Sequence, residues 1–489
     1  MTMTRRNNFK DNGFILSTID DLVPENHLVR QIESSIDWNF IYPLVENLYS
    51  NQGRKSIDPV VLFKMIFIDK MFGINSMRKT CEEIKVNLAY RWFLGLSIYD
   101  DVPNYSTWSQ NYIRRYNDSD VFDKIFETII DKALEYKFID ETTVFGDSTH
   151  QKADANKRKS HNETVDIIKK SYEKDLLDEI NEVRKAHNQK AIKKLDCEEI
   201  IFDENTGEEK IIRKKKDIKV SDTDNECGNF HKGEHEECFA YSHQTFCDIN
   251  GFVLGFNTVP SNVHDSVSFF DVYNDLIKNY KGIKNVCLDA GYKTPAIIKT
   301  IMDNNHTPYL PYKKSPSSAG KIKRKEFIYD EDNDNYICPN GMTLEYSTVN
   351  NGGYKIYKCK EYHCTDCPLK SKCTKSKCKS ISRHVWEEYK EKAEDIRLGD
   401  DKWKEIYPMR KQTIERVFAD DKENHCLRFT RLRGLDKNRH NAAIIFSCHN
   451  LKKISLWRWK NPSNRIYRKG NTGNISSYSI IFIKKTIIT

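Results

Sequence analysis

Residues Thr142–Lys159 read TTVFGDSTHQKADANKRK. Thr142, Thr143 and Val144, all β-branched, lead into Phe145, Gly146 and Asp147, with Ser148, Thr149 and His150 close behind. Such a run predicts a buried strand, and the polar cluster after it predicts where that strand leaves the core. A carboxylate at a strand end is held by stiff backbone yet meets solvent, which suits a metal ligand. Lys152, Lys157, Arg158 and Lys159 then set positive charge beside it. An acid for a metal and cations for a polyanion, in one short stretch, point to chemistry on phosphates. The same residues also fit a strand closing in a turn, where Asp bonds nearby backbone, so the rest of the chain has to decide.

At 489 residues the chain exceeds one ordinary core, and about two to four domains are expected. Its 38% hydrophobic and 31% charged residues fit a soluble globular protein. The net charge of +8 is modest but clustered: Lys402–Lys469 holds 18 Lys/Arg against 6 Asp/Glu. A basic block with helix-like periodicity favours nucleic acid over an acidic membrane. The opening MTMTRRNNFKDNGF has no apolar core of signal-peptide length, so secretion is not expected and the cytoplasm is the expected address. Val60–Ile74, the most apolar helical stretch, contains Lys64, Asp69 and Lys70 and is too short to span a bilayer. The 14 cysteines are then expected to be reduced, and clustered ones read as metal ligands rather than disulfides.

Pro24 to Lys137 reads as helices, with starts at Pro24, Asp58-Pro59, Ser76, Ser106 and Ser119. Beyond the Asp147 strand, residues 160–219 are highly charged. Their first half has helical spacing from Ile167 to Val183, and a loop or hairpin is expected around Asn205-Thr206-Gly207. Two strand-like runs, Cys238–Phe246 and Phe252–Val259, flank Asn250-Gly251, a strong hairpin signal. His264-Asp265-Ser266 opens a helix, and His264 and Asp265 are expected to orient a loop rather than hold metal. Lys284–Leu288 is a short apolar strand ending at Asp289. A helix from Pro295 and a strand at Thr307–Leu310 follow. Strand, hairpin, helix, strand, helix is the order of a ribonuclease H-like mixed α/β sheet, whose adjacent central strands bring two carboxylates together.

Six cysteines lie in the 41 residues Cys338–Cys378. Cys359, Cys364, Cys367 and Cys373 are the candidate ligands of a structural Zn²⁺, since close thiols suit a tetrahedral ion. The spacing is not that of two CxxC knuckles, so a small metal-free insertion stays open. A catalytic zinc is not expected. Trp403–Leu427 reads as one helix carrying Lys411, Glu415, Arg416 and Lys422. A bent basic link, LRFTRLRG, contains Arg431 and Arg433 and leads to a last helix over Asn441–Ile454.

Three acids therefore stand out: Asp147, Asp289 and Glu415, with Glu405, Asp420, Asp421 and Glu423 competing for the third place. Phosphodiester chemistry needs an activated oxygen nucleophile and a stabilised leaving oxygen, which two Mg²⁺ ions about 4 Å apart supply when carboxylates hold them.

At these residues the chain resembles the DDE transposases of bacterial insertion sequences that carry an N-terminal helical domain and an interrupted ribonuclease H-like core. The matching motifs are GDSTHQKADANKRK around Asp147, PSNVHDS (Pro260–Ser266), LDAGY around Asp289, and Glu415-Arg416-Val417-Phe418 with Lys422. Arg431-Leu432-Arg433-Gly434 and His449-Asn450-Leu451 follow. The resemblance spans most of residues 10–455. It implies Asp147, Asp289 and Glu415 as catalytic and metal-binding residues, holding two Mg²⁺ (or Mn²⁺) ions. Such transposases often carry Tyr and Arg at fixed distances before the glutamate and Lys seven residues after it. Here the lysine fits, but Lys411 stands at the arginine's place, and Tyr407 and Arg410 are one residue out of register.

The resulting expectation is a transposase that cleaves transposon ends and joins them to target DNA, a mobile-element recombination enzyme of the bacterial cytoplasm, at the nucleoid when on DNA. Its partners would be the terminal inverted repeats, target DNA and, by resemblance, a second copy of itself. DNA contacts are expected from Lys152, Lys157, Arg158, Lys411, Lys422, Arg431 and Arg433. The expected domains are a helical DNA-binding domain (1–138), a first core part (139–315, with a charged helical insertion at about 160–220), a cysteine-rich insertion (316–400), a second core part (401–456) and a poorly ordered tail (457–489). The alternatives are an inactive or repurposed DNA-binding descendant and a metal-dependent nuclease without joining.

Overall fold

The computed structural model describes residues 16–50, 52–53, 55–202, 209–232, 236–312 and 321–460. They fall into two compact units, one of residues 1–138, 420–426 and 440–489, the other of 139–419 and 427–439. The Asn205-Thr206-Gly207 turn, the opening residues 1–15 and the tail beyond 460 lie outside the described residues.

The first unit is helical. Its central helix, α1 (Pro59–Met71), begins where Asp58 accepts a hydrogen bond from Val60 N–H at 2.7 Å and Pro59 presets the first turn. Leu62, Phe63, Met65, Phe67 and Ile68 are buried on several sides of it, as befits a helix enclosed by others. Its three buried charges, Lys64, Asp69 and Lys70, are satisfied, Lys70 Nζ pairing with Asp69 Oδ2 at 3.0 Å. Lys64 Nζ donates to Glu33 at 2.7 Å and to the Phe93 carbonyl at 2.9 Å. Asp69 accepts from Ser76 N–H and the Thr80 hydroxyl, each at 2.8 Å, and so holds the start of α2 (Met77–Val86). α3 (Leu88–Leu94) and α4 (Val121–Glu135) complete the packing; Phe122, Ile125, Phe126, Ile129 and Ile130 of α4 are all buried, as their spacing predicts. Each such side chain contributes about 1.5–3 kcal/mol. Three helix starts differ from the sequence expectation: the caps are His27, Asn104 and Asp120, not Pro24, Ser106 and Ser119. His27 and Asn104 accept backbone N–H groups two residues ahead and fix those boundaries.

The second unit is built on a mixed sheet. Its strands are β1 (Thr143–Lys152), β2 (Gly228–Lys232), β3 (Glu236–Asp248), β4 (Val253–Pro260), β5 (Asn285–Cys287) and β6 (Thr307–Tyr309). The order is β6-β5-β1-β3-β2, with β4 also paired to β3. β1, β5 and β6 are parallel, while β3 is antiparallel to β1, β2 and β4. α5 (Asp265–Asn279) and α6 (Pro295–Asp303) make the crossovers between the later strands. At the β3–β4 turn only Gly251 has positive φ (75°), and its N–H bonds to the Asp248 carbonyl at 3.0 Å. The hairpin closes on a turn followed by a left-handed glycine, so Asn250 need not adopt positive φ.

Residues 160–221 are less helical than their spacing suggests. Ser160–Asp166 pairs antiparallel with Lys215–Ser221, and the helix begins only at Glu173. Ile167 N–H instead bonds to the Lys214 carbonyl, extending that ribbon by one bond. Glu198–Phe202 and Glu209–Arg213 form a second ribbon. The cysteine-rich segment is a sequential five-stranded antiparallel sheet, from Ile328–Asp330 to Ser380–His384, over a core of Phe327, Tyr336, Leu344, Tyr357 and Ile381.

The single helix expected over Trp403–Leu427 is three pieces: Asp401–Ile406, a tight turn at Tyr407–Lys411, and α7 (Ile414–Asn424). Pro408, which has no N–H to continue a helix, lies at the first break. The last helix, α8 (Leu435–Lys460), is longer than its apolar residues alone mark out.

Candidate active site

The ladder sets the geometry. On β1 and β5 the partners are Val144 with Val286 and Phe145 with Cys287. Asp147 and Asp289 each stand two residues beyond the last pair, Asp147 still within β1 and Asp289 just past the end of β5. Asp147 does not end its strand, as the polar residues after it suggested. β1 runs on to Lys152 because the long β3 pairs with it from Asp248 back to Ala240. Only on the β5 side does pairing stop, and there the acid is left facing outward. Gly146 admits this approach: a Cβ there would meet Phe246 at 2.5 Å and Leu288 at 2.6 Å.

Each acid is then fixed. Asp147 accepts from Ser148 N–H at 2.8 Å and from Arg410 Nη2 at 2.6 Å. Asp289 caps a short turn, accepting from Gly291 N–H at 2.7 Å. Gln244 on β3 donates to the Asp147 carbonyl at 3.4 Å and accepts from the Tyr292 hydroxyl at 2.7 Å and from Ser268 at 3.4 Å. Burial pushes the Asp147 carboxyl up to about 6; the Arg410 guanidinium opposes the rise, and the charges of Asp289 and Asp265 add to it. Asp265, at the start of α5, is raised by burial and again by Asp289, against a Ser148 hydrogen bond and His264. Three carboxylates thus act on one another, and of them Asp147 contacts the Arg410 guanidinium. Excess negative charge on hard oxygens is the environment a divalent cation relieves.

The other candidates are distributed as follows. Glu415 is exposed in the first turn of α7, five residues after Arg410, and has no side-chain partner among the described residues. Lys411 is exposed beside the buried Arg410. The end of β1 is tied to the basic link: Lys152 N–H bonds to the Arg428 carbonyl at 3.2 Å, and Thr430 N–H to the Lys152 carbonyl at 2.9 Å. Arg431 and Arg433 are exposed on this link, Arg433 pairing with Asp154 at 3.0 Å, and Lys157 and Arg158 are exposed in the loop after β1. Lys422 lies further along α7 and belongs to the helical unit. Cys359 and Cys364 are buried in the cysteine-rich sheet, and Cys338, Cys373 and Cys378 pack against them. Among the described residues, no three of these sulfurs lie within 4.8 Å of one another.

Arg410 is the residue that sequence spacing passed over. It sits one place from the expected arginine because Gln412 and Thr413 separate the Tyr407–Lys411 turn from α7, a break that periodicity does not reveal. Asp265 is the other. Its place in PSNVHDS marked it for loop orientation, whereas the fold sets its charge against Asp289.

Compared with known protein families, residues 17–114 match a transposase domain (DUF772), and residues 337–455 match a transposase DDE domain. The two matches, one near each end of the chain, support an insertion-sequence DDE transposase. No curated protein and no solved structure matches it. In this transposase the DDE match takes in Glu415, Lys422, Arg431 and Arg433, whereas Asp147 and Asp289 lie outside both matched segments. Resemblance to that family implies DNA as the partner and a divalent metal as the cofactor. Among the described residues, no helix is long and apolar enough to cross a membrane.

Proposed function

We propose that this transposase is a metal-dependent DNA strand transferase whose mixed sheet is a ribonuclease H-like core. Asp147, Asp289 and Glu415 are its catalytic acids. The observation that carries the reading is the register by which Asp147 and Asp289 each follow by two residues the last pair of adjacent parallel strands, with Arg410 bonded to Asp147. Mg²⁺ or Mn²⁺, as two ions on these carboxylates, would activate the attacking oxygen and stabilise the leaving one. The donor set fits: oxygen ligands, one of them with its proton affinity raised by burial and like charge. Arg410 keeps Asp147 oriented and ionised, Gln244 and Ser148 fix the β1 backbone and carboxylate around it, and Asp265 adds negative charge. Lys152, Lys157, Arg158, Arg431 and Arg433 surround the end of β1 with cations that hold DNA phosphates, and Lys411 and Lys422 extend those contacts.

Hydrolysis at a transposon end releases a 3′-hydroxyl, and that hydroxyl then attacks target DNA. The helical unit reads the terminal repeats, and two copies act together on paired ends. A structural zinc on Cys359, Cys364, Cys367 and Cys373 belongs to the same proposal; binding it requires those side chains to draw together.

The test supplies pre-cleaved 3′-hydroxyl ends and a target plasmid. Joined product supports transposition, cutting without joining supports a nuclease, and shifted bands without product support a DNA binder. Asp147→Asn is expected to abolish cleavage while repeat binding persists.

A further inference from the structure

A second group of ligand atoms stands in the helical unit. Asp420 and Asp421 end α7, His425 follows, and His449 projects from α8. Asp421 and His425 are fully enclosed and His449 is buried. The separations run in sequence: Asp421 Oδ1 to His449 Nδ1 2.8 Å, His449 Nδ1 to Asp420 Oδ2 3.8 Å, and Asp420 Oδ2 to His425 Nε2 3.7 Å. A tetrahedral ion with bonds near 2.1 Å holds its ligand atoms about 3.4 Å apart, a value these distances straddle.

Two details favour a ligand over a self-contained ion-pair network. Asp421 Oδ2 is buried with no hydrogen-bond partner, so the network leaves one carboxylate oxygen unanswered at its most enclosed point. Leaving such an atom unpaired costs about 1–3 kcal/mol or more. His425 is also oriented from behind. Its Nδ1 lies 3.1 Å from the Lys70 carbonyl, which only accepts, so Nδ1 carries a hydrogen, and Nε2 faces Asp420. Metal-binding histidines are commonly fixed in this way. Asn424 occupies the other Asp420 oxygen, leaving Oδ2 for the cluster. Lys452 Nζ stands 3.5 Å from Asp420 Oδ2 and 3.3 Å from His425 Nε2. A quarter of its side chain is exposed, and it can withdraw to solvent when a stronger cation enters.

We infer that Asp420, Asp421 and His449, whose ligand atoms all lie within 4.8 Å of one another, form a structural site for one divalent transition ion of the zinc type, with His425 beside Asp420, clamping the end of α7 to α8. An imidazole with two carboxylates suits a borderline ion better than Mg²⁺, which demands near-octahedral oxygen ligands. The ion takes no part in strand transfer.

The test uses the full chain carrying Asp147→Asn, which disables the catalytic acids. The protein is loaded with Zn²⁺ or Co²⁺, dialysed, assayed for bound metal, and compared with the same protein carrying His449→Gln or Asp421→Asn. The parent is expected to keep one ion more than either variant and to lose thermal stability when a chelator removes it. X-ray absorption of the parent is expected to show imidazole and oxygen ligands, distinct from any sulfur-bound ion at the cysteines, and this holds the test open if a variant fails to fold. Equal metal in parent and variants, or sulfur as the sole ligand type, overturns the inference.

Discussion

Replacing Arg410 with Gln removes the only cation in contact with Asp147 among the described residues. The pair is enclosed, its side chains 8% and 21% exposed, so solvent screens it little. Asp147 already titrates at about 6 with Arg410 in place, because burial and two neighbouring carboxylates outweigh the guanidinium. An opposite charge at this range lowers a carboxyl pKa by about 1–3. Without it, the acidic limb of a cleavage-rate profile should move about 1–3 pH units upward. At pH 7 the ionised share of Asp147 should fall from about nine-tenths to between about half and a hundredth, with activity falling in step and returning at higher pH. Arg410→Lys, which keeps the charge, should recover most of the shift. The assay is strand cleavage of an end-containing duplex across roughly pH 5.5–9.5, a range that follows the acidic limb before and after the shift, with circular dichroism confirming the fold. A Gln variant that folds and cleaves with an unmoved acidic limb would refute the role of Arg410 in ionising Asp147.

The same acid gives a stability prediction. Its folded-state pKa lies above the ordinary 3.8, so the folded protein binds that proton more tightly than the unfolded chain. Metal-free protein should therefore be most stable below about pH 4 with respect to this group, and lose about 3 kcal/mol as pH rises to about 6; thermal melts in chelator at each pH measure this. Asp289→Asn should raise the melting temperature of the metal-free protein by relieving repulsion while abolishing stabilisation by added Mg²⁺ or Mn²⁺, so an unchanged metal response would count against the shared site. Gly146→Ala should cost about 1–3 kcal/mol or more, since its methyl would collide with Phe246 and Leu288; denaturant titration reads this, and a neutral effect would contradict the close packing behind Asp147. Neutralising Arg431 or Lys152 should weaken DNA binding regardless of sequence and reduce the salt-dependence slope by about one per lost phosphate contact, which binding titrations over a salt series would test.

The sequence by itself determined the elements that carry Asp147 and Asp289. Each follows a short apolar run whose composition permits little except a buried strand, and the Asn250-Gly251 turn between two such runs sets up the antiparallel hairpin. It also determined the buried face of α4, because 3.6-residue spacing is a local property. Tertiary structure alone decided what those acids meet. That Asp147 and Asp289 follow the same strand pair depends on the register of β1 against β5, whose strands lie far apart in the chain. Arg410 reaches Asp147 across 263 positions, through a helical break that no local periodicity announces. Asp421 and His449 come together in the same way, from two helices whose spacing along the chain says nothing of their contact. Local spacing can select a strand or a helix, but an electrostatic site depends on distances that only the folded packing sets.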